Sequence, residues 1–323
     1  MREIADTFLK DASGQSGSPE EGVANRAVGE SCWFAGDYGR ARTHFERAVA
    51  VYDEARHASL AHVFGQDVGM AASIFLALVL WPLGEVERAR QLADAAVALA
   101  RRSGHVPSLA YAYFHACLIE AIRGDGPRGA PHATALFDLC REHAMPVWSA
   151  AGTFLNGWSL AQLGQRESGL AGMHQGLAQF RQLGISVYLP FLGMALADAE
   201  SQLVEANRGL TRIEETLSEC ERTGQHWLDA ELHRLRGDIL LRQKPAEPVA
   251  AESAYQTALA ISERQGTRSF ALRAATRLAQ FRGVTDRSAL LRSALQGFTP
   301  TPEFPDIAKV QMLLAESSGK EFG

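Results

Sequence analysis

The chain has 323 residues, of which 46% are hydrophobic and only 8% aromatic, and its formal net charge at pH 7 is −5. This acidic balance argues against a nucleic-acid-binding face, because such a face needs clustered lysines and arginines. No segment reaches the about 18 consecutive apolar residues of a membrane-spanning helix, and the N-terminus has no signal-peptide pattern. We therefore expect a cytoplasmic protein with neither nucleic acid nor membrane as a direct partner.

The N-terminal end differs from the rest of the chain. Residues 1–13 predict one isolated helix that resembles the second half of a helical repeat, and residues 14–21 read as a polar linker. A regular pattern then extends over residues 22–298. We interpret this stretch as a repeat array, which grows by stacking and so fits one elongated domain.

Three glycines mark the repeat. Gly84, Gly124 and Gly164 recur every 40 residues, each after an apolar run and before a charged, alanine-rich run. Glycine commonly follows the last residue of a helix, because it adopts the left-handed conformation that ends the helix. The repeating unit is therefore predicted to be helix, turn, helix.

A second set of glycines lies inside the predicted helices. Gly29, Gly157 and Gly237 each sit in the middle of an apolar helical pattern. Glycine in a helix costs about 1 kcal/mol relative to alanine, so its presence there needs a steric reason. We expect the two helices of one repeat to cross closely at these positions.

About seven helix pairs can be delimited, followed by a different C-terminal segment. Proline-rich FTPTPEFPD ends the array, and an apolar stripe after it predicts one capping helix, assigned to residues 299–316. Residues 317–323 are expected to be disordered. The predicted fold is all-α: a tetratricopeptide-like α-solenoid that forms a right-handed superhelix with a C-terminal capping helix.

Catalytic and metal-binding patterns are not evident in the sequence. The four cysteines form no CxxC pattern, and we interpret them as small core residues. The ten histidines form no HExxH pattern, and we interpret them as surface or cap residues. There is no GxSxG and no phosphate-binding GxxxxGK[ST]. We expect no catalytic residue, no metal and no cofactor, and hence a protein that is not an enzyme.

The inner face of the superhelix is the best candidate for a binding site. Aligning the first helix of each unit on its small crossing residue predicts which side chains point into the groove. Aromatic residues and methionine on such a surface suit the binding of a helix or an extended peptide. The predicted groove residues are Tyr111, Phe114, Leu118, Phe154, Trp158, Phe191, Met194, Asp198, Arg234 and Asp238. Packing between neighbouring helices is the competing explanation for the aromatic members.

Several stretches of the chain resemble a known family. CWFAGDYGRARTHFERAVAVYD, WLDAELHRLRGDILL and GFTPTPEFPDIAKVQMLLAE are similar to the C-terminal tetratricopeptide-like region of large bacterial regulators. Those regulators carry a class III adenylate or guanylate cyclase domain and an AAA-type NTPase domain before the repeats. Neither catalytic domain is present here, so the resemblance implies a regulatory or scaffolding module whose partners include the cyclase or NTPase domains of a longer parent.

Two functional hypotheses are compatible with these patterns. The first is a non-enzymatic repeat scaffold that binds a protein or peptide in its concave groove. The alternative is an effector-sensing domain of a signalling or transcriptional regulator, in which a small molecule lies within the superhelix. The sequence specifies neither the ligand nor the oligomeric state.

Overall fold

The computed structural model describes Thr7, Lys10 and residues 17–203 and 206–319. Nearly all of the predicted helix over 1–13 and residues 14–16 of the predicted linker lie outside the described residues, as do residues 320–323. Within the described ranges, all regular secondary structure is helical and no strand occurs. The all-α prediction is therefore confirmed.

From Pro19 to Gly319, among the described residues, the helices follow one another as seven antiparallel pairs and a final single helix. In chain order they are α1 (Pro19–Phe34), α2 (Tyr38–Ala50), α3 (Val68–Leu83), α4 (Val86–Ser103), α5 (Val106–Arg123), α6 (Gly126–Glu142), α7 (Pro146–Gln162), α8 (Arg166–Gln182), α9 (Leu189–Leu203), α10 (Ala206–Thr223), α11 (Asp229–Gln243), α12 (Val249–Gln265), α13 (Arg268–Leu278), α14 (Val284–Leu295) and α15 (Pro305–Gly319). Two single-turn helices, Glu54–His57 and Ala61–Phe64, connect the first two pairs. Consecutive pairs pack against each other in sequence order, as a solenoid requires.

Glycines form the turns within pairs two, three and four, as the sequence predicts. Gly84, Gly124 and Gly164 have φ angles of +97°, +78° and +90°. This left-handed conformation is costly for a residue with a Cβ atom, so glycine ends the first helix of each of these pairs. The 40-residue spacing in the sequence thus reports the turns of pairs two, three and four.

The glycines inside helices lie at close crossings. A Cβ atom on Gly157 would stand 2.6 Å from the carbonyl oxygen of Gly169 and from the backbone nitrogen of Met173. On Gly237 it would stand 2.5 Å from the ring of Tyr255. Both contacts join the two helices of one pair, so the steric explanation of these glycines is confirmed.

The first helix of a pair is more deeply buried than the second. In α3 nearly every side chain is buried, because neighbouring first helices cover it on both sides. In α4 the buried positions are mainly a stripe formed by Ala89, Ala93, Ala96 and Ala100. These small residues let α4 approach α3, while its charged face stays in water.

The array closes on itself, which the stacking of neighbours alone does not predict. Trp33 at the end of α1 packs against Trp227 before α11, with ring centroids 4.1 Å apart. The hydroxyl of Tyr38 donates to the carbonyl of Trp227 at 2.7 Å, and the backbone N–H of His226 donates to the carbonyl of Phe34 at 2.7 Å. Pair six therefore contacts pair one directly.

A second set of contacts joins pair seven to pair two. The hydroxyl of Ser269 donates to the carbonyl of Trp81 at 2.6 Å, and the Trp81 ring also lies near the rings of Phe270 and Phe304. All four side chains are buried or nearly so. The C-terminal pairs thus occupy part of the space that an open superhelix would leave for a ligand.

The C-terminal segment is a loop followed by a helix. Of the predicted capping region, residues 299–304 form the loop, and α15 then runs from Pro305 to Gly319, three residues beyond the predicted end. The apolar stripe of α15 faces the array through Ile307 and Val310, which are both buried. Phe304 in the loop is also buried, so the loop itself is part of the packed structure.

None of the described helices has both the length and the apolar composition of a membrane-spanning helix. No single helix in residues 17–203 or 206–319 is long and apolar enough to cross a bilayer. By length and composition alone, the segments Glu54–Phe64 and Val68–Leu83 pass the test together, although they meet at an angle of 88°. Nearly all side chains of the second segment are buried inside the array.

Candidate functional site

A cavity of about 420 Å³ opens on the inner face of the array. Its wall is built by the first helices of pairs three to seven together with α15. The residues that line it are Ala121, Ile122, Arg123, Gly124, Trp158, Gln162, Phe191, Met194, Ala195, Asp198, Gln202, Glu231, Arg234, Leu235, Asp238, Arg242, Arg273, Thr276, Arg277, Asp306 and Lys309. Its volume lies within the usual range of ligand sites, about 300–1,000 Å³.

Six of the ten predicted groove residues line this cavity. They are Trp158, Phe191, Met194, Asp198, Arg234 and Asp238. Trp158 belongs to α7, Phe191, Met194 and Asp198 belong to α9, and Arg234 and Asp238 belong to α11. The six predicted residues that line the cavity therefore come from three successive pairs.

The other four predicted residues lie in the core instead. Phe114, Leu118 and Phe154 have no exposed surface, and Tyr111 is 9% exposed. The ring of Phe114 packs against Tyr188, with centroids 4.9 Å apart. Because the loop that carries Tyr188 covers the inner face of α5, this end of the predicted groove is filled by the protein itself.

Arg234 is the central charged group of the cavity wall. Its Nε and Nη2 atoms donate to the two carboxylate oxygens of Glu231 at 3.0 and 3.1 Å, and its Nη1 atom donates to Asp238 at 2.7 Å. These partners lie three residues before and four residues after Arg234, on the same face of α11. The guanidinium is thus held in one orientation by its own helix.

Glu231 beside Arg234 is held in its charged form. Burial alone would raise the pKa of Glu231, but the nearby Arg234 and Arg273 outweigh it and keep the pKa below the ordinary value. Asp238 accepts hydrogen bonds from Arg234, from Arg277 and from the hydroxyl of Tyr255. The cavity wall is therefore a network of ionised groups at neutral pH.

Arg273 connects this network to pair three and was not predicted as a site residue. Its Nη atoms donate to the last carbonyls of α5, those of Ile122 at 2.7 Å and Arg123 at 2.6 Å. The same guanidinium pairs with Glu231 and with Asp306, both at 3.2 Å. The sequence shows a basic residue in an amphipathic helix here, but nothing in that pattern identifies partners 150 residues away.

Glu303 in the C-terminal loop fastens the other end of the same wall. Its carboxylate accepts hydrogen bonds from Arg123 and Arg128, both at 2.9 Å. Although burial opposes ionisation, these two arginines lower the pKa of Glu303 below its ordinary value. The loop that was predicted only as a helix break therefore clamps α5 and α6 to the C-terminal end.

His115 is a buried histidine outside the cavity, contrary to the expected surface or cap position. Its Nδ1 lies 2.8 Å from the carbonyl oxygen of Tyr111, which can only accept, so Nδ1 carries the proton. Nε2 then accepts from the hydroxyl of Tyr188 at 2.6 Å. Burial lowers the pKa of His115 to about 3, so the ring is neutral and structural.

The described part of the chain offers little for metal binding or nucleophilic chemistry. In that part no three or more histidine, cysteine or acidic side chains are placed to hold a metal ion. Among the described residues that line the cavity, Thr276 is the only one with a hydroxyl side chain, and its hydroxyl donates to the carbonyl of Leu272 at 2.6 Å. The cavity wall consists of charged and apolar side chains, which are groups that bind ligands.

Comparison with known sequences gives one distant relative of note. No protein-family model matches the chain. The uncharacterized protein R02095 of Rhizobium meliloti (strain 1021) is 27% identical over 228 residues, which is 70% of this chain and 22% of that protein. The matching region thus spans about a fifth of the length of the relative.

Comparison with solved structures identifies repeat proteins of the same architecture. A Rap protein complexed with Competence and Sporulation Factor matches 99% of this chain and 81% of its own, with a TM-score of 0.57 and 11% identity. A signal-transduction ATPase with a tetratricopeptide repeat sensor, from Pyrococcus horikoshii, matches 98% of this chain and 48% of its own, with a TM-score of 0.54 and 12% identity. Yeast Tom70 matches 99% of this chain and 59% of its own, with a TM-score of 0.50 and 11% identity. At such identities the likeness concerns the fold, and it confirms a tetratricopeptide-like solenoid.

Proposed function

We propose that this chain is a non-enzymatic repeat scaffold that binds a peptide segment in the cavity between α7, α9, α11, α13 and α15. The observation that carries the proposal is the cavity wall. It places the half-buried Met194, backed by the buried Trp158 and Phe191, in the same cavity as charged groups that are oriented by their own ion pairs. A peptide offers both kinds of partner, because its side chains are apolar or charged and its backbone donates and accepts hydrogen bonds.

We further propose that the scaffold is a regulatory module of a longer protein, like the repeat region of the cyclase and NTPase regulators that it resembles. The distant Rhizobium relative supports this, because the matching region is 22% of its length. The ATPase from Pyrococcus horikoshii supports it as well, since its tetratricopeptide repeats are described as a sensor. In such a protein, ligand binding in the cavity changes the contacts of the array with the catalytic domains.

A small-molecule effector is the second candidate, and the size of the cavity favours it. A volume of about 420 Å³ accommodates a metabolite but only a few residues of a peptide. The two candidates differ in one measurable property. A metabolite raises the melting temperature by mass action when screened alone, whereas a peptide receptor responds only to the peptide.

The experiment is a peptide-binding screen with two tryptophan variants. Random peptides carrying an N-terminal fluorophore are selected on the intact chain, and their dissociation constants are measured by fluorescence anisotropy. Ala195→Trp places a large ring in the cavity, and Ala250→Trp places the same ring at an exposed position of α12 as the control.

We expect selected peptides to lose binding to the Ala195→Trp variant and to keep it with Ala250→Trp, while both variants retain helical circular dichroism. Binding that survives the filled cavity would show that the site lies elsewhere. Failure to select any peptide, together with a metabolite that stabilises the wild-type chain and not Ala195→Trp, would establish the second candidate.

A further inference from the structure

The charged groups of the cavity differ in how many hydrogen-bonding positions they have left. Asp238 accepts from Arg234, Arg277 and Tyr255, and both oxygens of Glu231 accept from arginines. Their side chains are only 14% and 3% exposed. These two acids are therefore saturated and have nothing further to offer a ligand.

Three basic groups of the cavity are not saturated. Arg277 uses only Nε and Nη2, both toward Asp238, and Arg242 uses only Nη2, toward the hydroxyl of Ser201 and, at 3.9 Å, toward the carboxylate of Asp198. Both side chains are 43% exposed, and Nη1 of each has no partner among the described residues. Lys309 is exposed and forms no ion pair within those same residues. A ligand in the cavity thus meets unused N–H donors of positive charge.

These donors come from three separate helices. Arg242 belongs to α11, Arg277 to α13 and Lys309 to α15, yet all three line the same 420 Å³ space. A carboxylate has two oxygens in one plane, whereas a phosphate monoester directs three oxygens in three directions and carries a charge of about −1.5 to −2 at pH 7. Donors approaching from three helices match the tetrahedral group better than the planar one.

The cavity also has apolar lining. Trp158, Phe191, Met194 and Leu235 contribute to it; Trp158, Phe191 and Leu235 are buried, whereas Met194 is half-buried. An aromatic ring or an aliphatic chain attached to the charged group would cover this surface. The chemistry of the cavity therefore asks for an anion with an apolar neighbour.

We propose that the cavity is a phosphate-monoester site, in which Arg242, Arg277 and Lys309 bind the phosphate and Met194 packs against the group that carries it. The inference rests on the proposed function in one respect, namely that the phosphate is borne by a side chain of a peptide. A free phosphorylated metabolite offers the same chemistry, so the experiment separates the two sources.

The probes are phenyl phosphate, benzoate, inorganic phosphate and one short peptide prepared with tyrosine and with phosphotyrosine. Binding to the intact chain is measured by isothermal titration calorimetry. The variants are Arg242→Gln and Lys309→Gln, which remove a charge from the cavity without removing a partner of Glu231 or Asp238. Arg236→Gln is the matched control, since Arg236 lies on α11 but pairs with Glu214 outside the cavity.

We expect phenyl phosphate to bind at least about tenfold more tightly than benzoate, and each cavity variant to weaken it about tenfold. Arg236→Gln should leave binding unchanged. Equal affinity for benzoate and phenyl phosphate would overturn the inference, as would equal weakening by Arg236→Gln.

The remaining outcomes separate this inference from the proposed function. Tighter binding of the phosphotyrosine peptide than of phenyl phosphate supports both. Binding of phenyl phosphate or inorganic phosphate without any binding of the phosphopeptide supports the phosphate site and contradicts the peptide scaffold. Equal binding of both peptides, lost in Ala195→Trp, supports the scaffold and contradicts the phosphate site.

Discussion

The sequence predicted one continuous groove along the inner face of the array, but in the structure this face has two regions that differ in how accessible their side chains are. Around α5 the face is dry, because Phe114 and Leu118 are fully buried and the loop of Tyr188 covers them. Around α9, α11 and α13 the face stays open and carries a network of arginines and acids. An inward-facing side chain in a repeat array is thus available to a ligand only where no other part of the chain reaches it first.

The difference has a physical origin in how the chain closes. Aromatic side chains such as Tyr188 and Trp148 find an apolar surface on α5 and bury it. The arginines of the other region pair with acids of their own helix, as Arg234 does with Asp238, or of a neighbouring helix, as Arg277 does with the same Asp238, so charged groups rather than aromatic rings line this part of the face. Four perturbations would test this contrast, and truncation of Phe114 should have the strongest effect.

Truncation of one apolar side chain in each region should give very different costs. Phe114→Ala removes a fully buried ring and should lower the free energy of unfolding by about 3–5 kcal/mol. Met194→Ala removes a half-buried side chain at the cavity and should cost no more than about 1 kcal/mol. Urea unfolding followed by circular dichroism measures both, and equal costs would show that the two regions are packed alike.

A larger side chain at the crossing of α7 and α8 should strain the pair that supports the cavity. Gly157→Leu places atoms against backbone of the neighbouring helix that cannot move aside, and we expect a loss of about 3 kcal/mol in the free energy of unfolding. Gly39→Leu is the control, because a Cβ atom there meets nothing within 4 Å. A loss below about 0.5 kcal/mol for Gly157→Leu would contradict the close crossing.

Removal of the Arg273 guanidinium should loosen the connection between the two regions. Arg273→Met keeps most of the length of the side chain but leaves Glu231 with one arginine and two α5 carbonyls without their donor. We expect a loss of about 2–3 kcal/mol, because partners of a largely buried ion pair remain behind. The control is Arg236→Met on the outer surface, and chemical denaturation that finds equal losses for both would contradict the role of Arg273.

Acidification should destabilise the region around α5 through His115. The pKa of His115 is lowered from its ordinary 6.5 to about 3 in the folded protein, so the unfolded chain binds the proton more readily. The stability gained by keeping His115 neutral is therefore fully present above pH 6.5 and is lost as the pH falls from 6.5 toward 3. Between about pH 7 and pH 5 the loss attributable to this residue is about 2 kcal/mol.

Comparison of wild type with His115→Gln isolates that contribution. The wild-type protein should lose stability more steeply between about pH 7 and pH 5 than the variant, whereas the exposed His143→Gln should follow the wild type. Glu231 in the cavity does not confuse the result, because its pKa is lowered from the ordinary 4.5 and the stability linked to it is lost only as the pH falls below that value. Parallel slopes for wild type and His115→Gln would contradict the prediction.

The fold was largely predictable from the sequence, because its rules are local. A glycine at a turn, a glycine at a crossing and an alanine stripe each depend on residues within one helix pair, and Gly84, Gly157 and Ala89 all lie where the pattern placed them. Part of the cavity followed from the same local alignment. What the sequence did not indicate are the contacts between distant pairs, such as those of Arg273 and Glu303, since each side chain reads as an ordinary surface charge until its partner is known.

The closure of pair six on pair one also has a consequence for how the protein is made. The hydrogen bond between Tyr38 and Trp227 joins residues 189 positions apart, and the ring of the same Trp227 packs against the ring of Trp33. During synthesis the N-terminal pair must wait with this apolar surface uncovered until the sixth pair has left the ribosome. The final docking step is therefore slower than the folding of individual helix pairs, and a nascent chain paused before Trp227 is the species most exposed to aggregation and most in need of a chaperone.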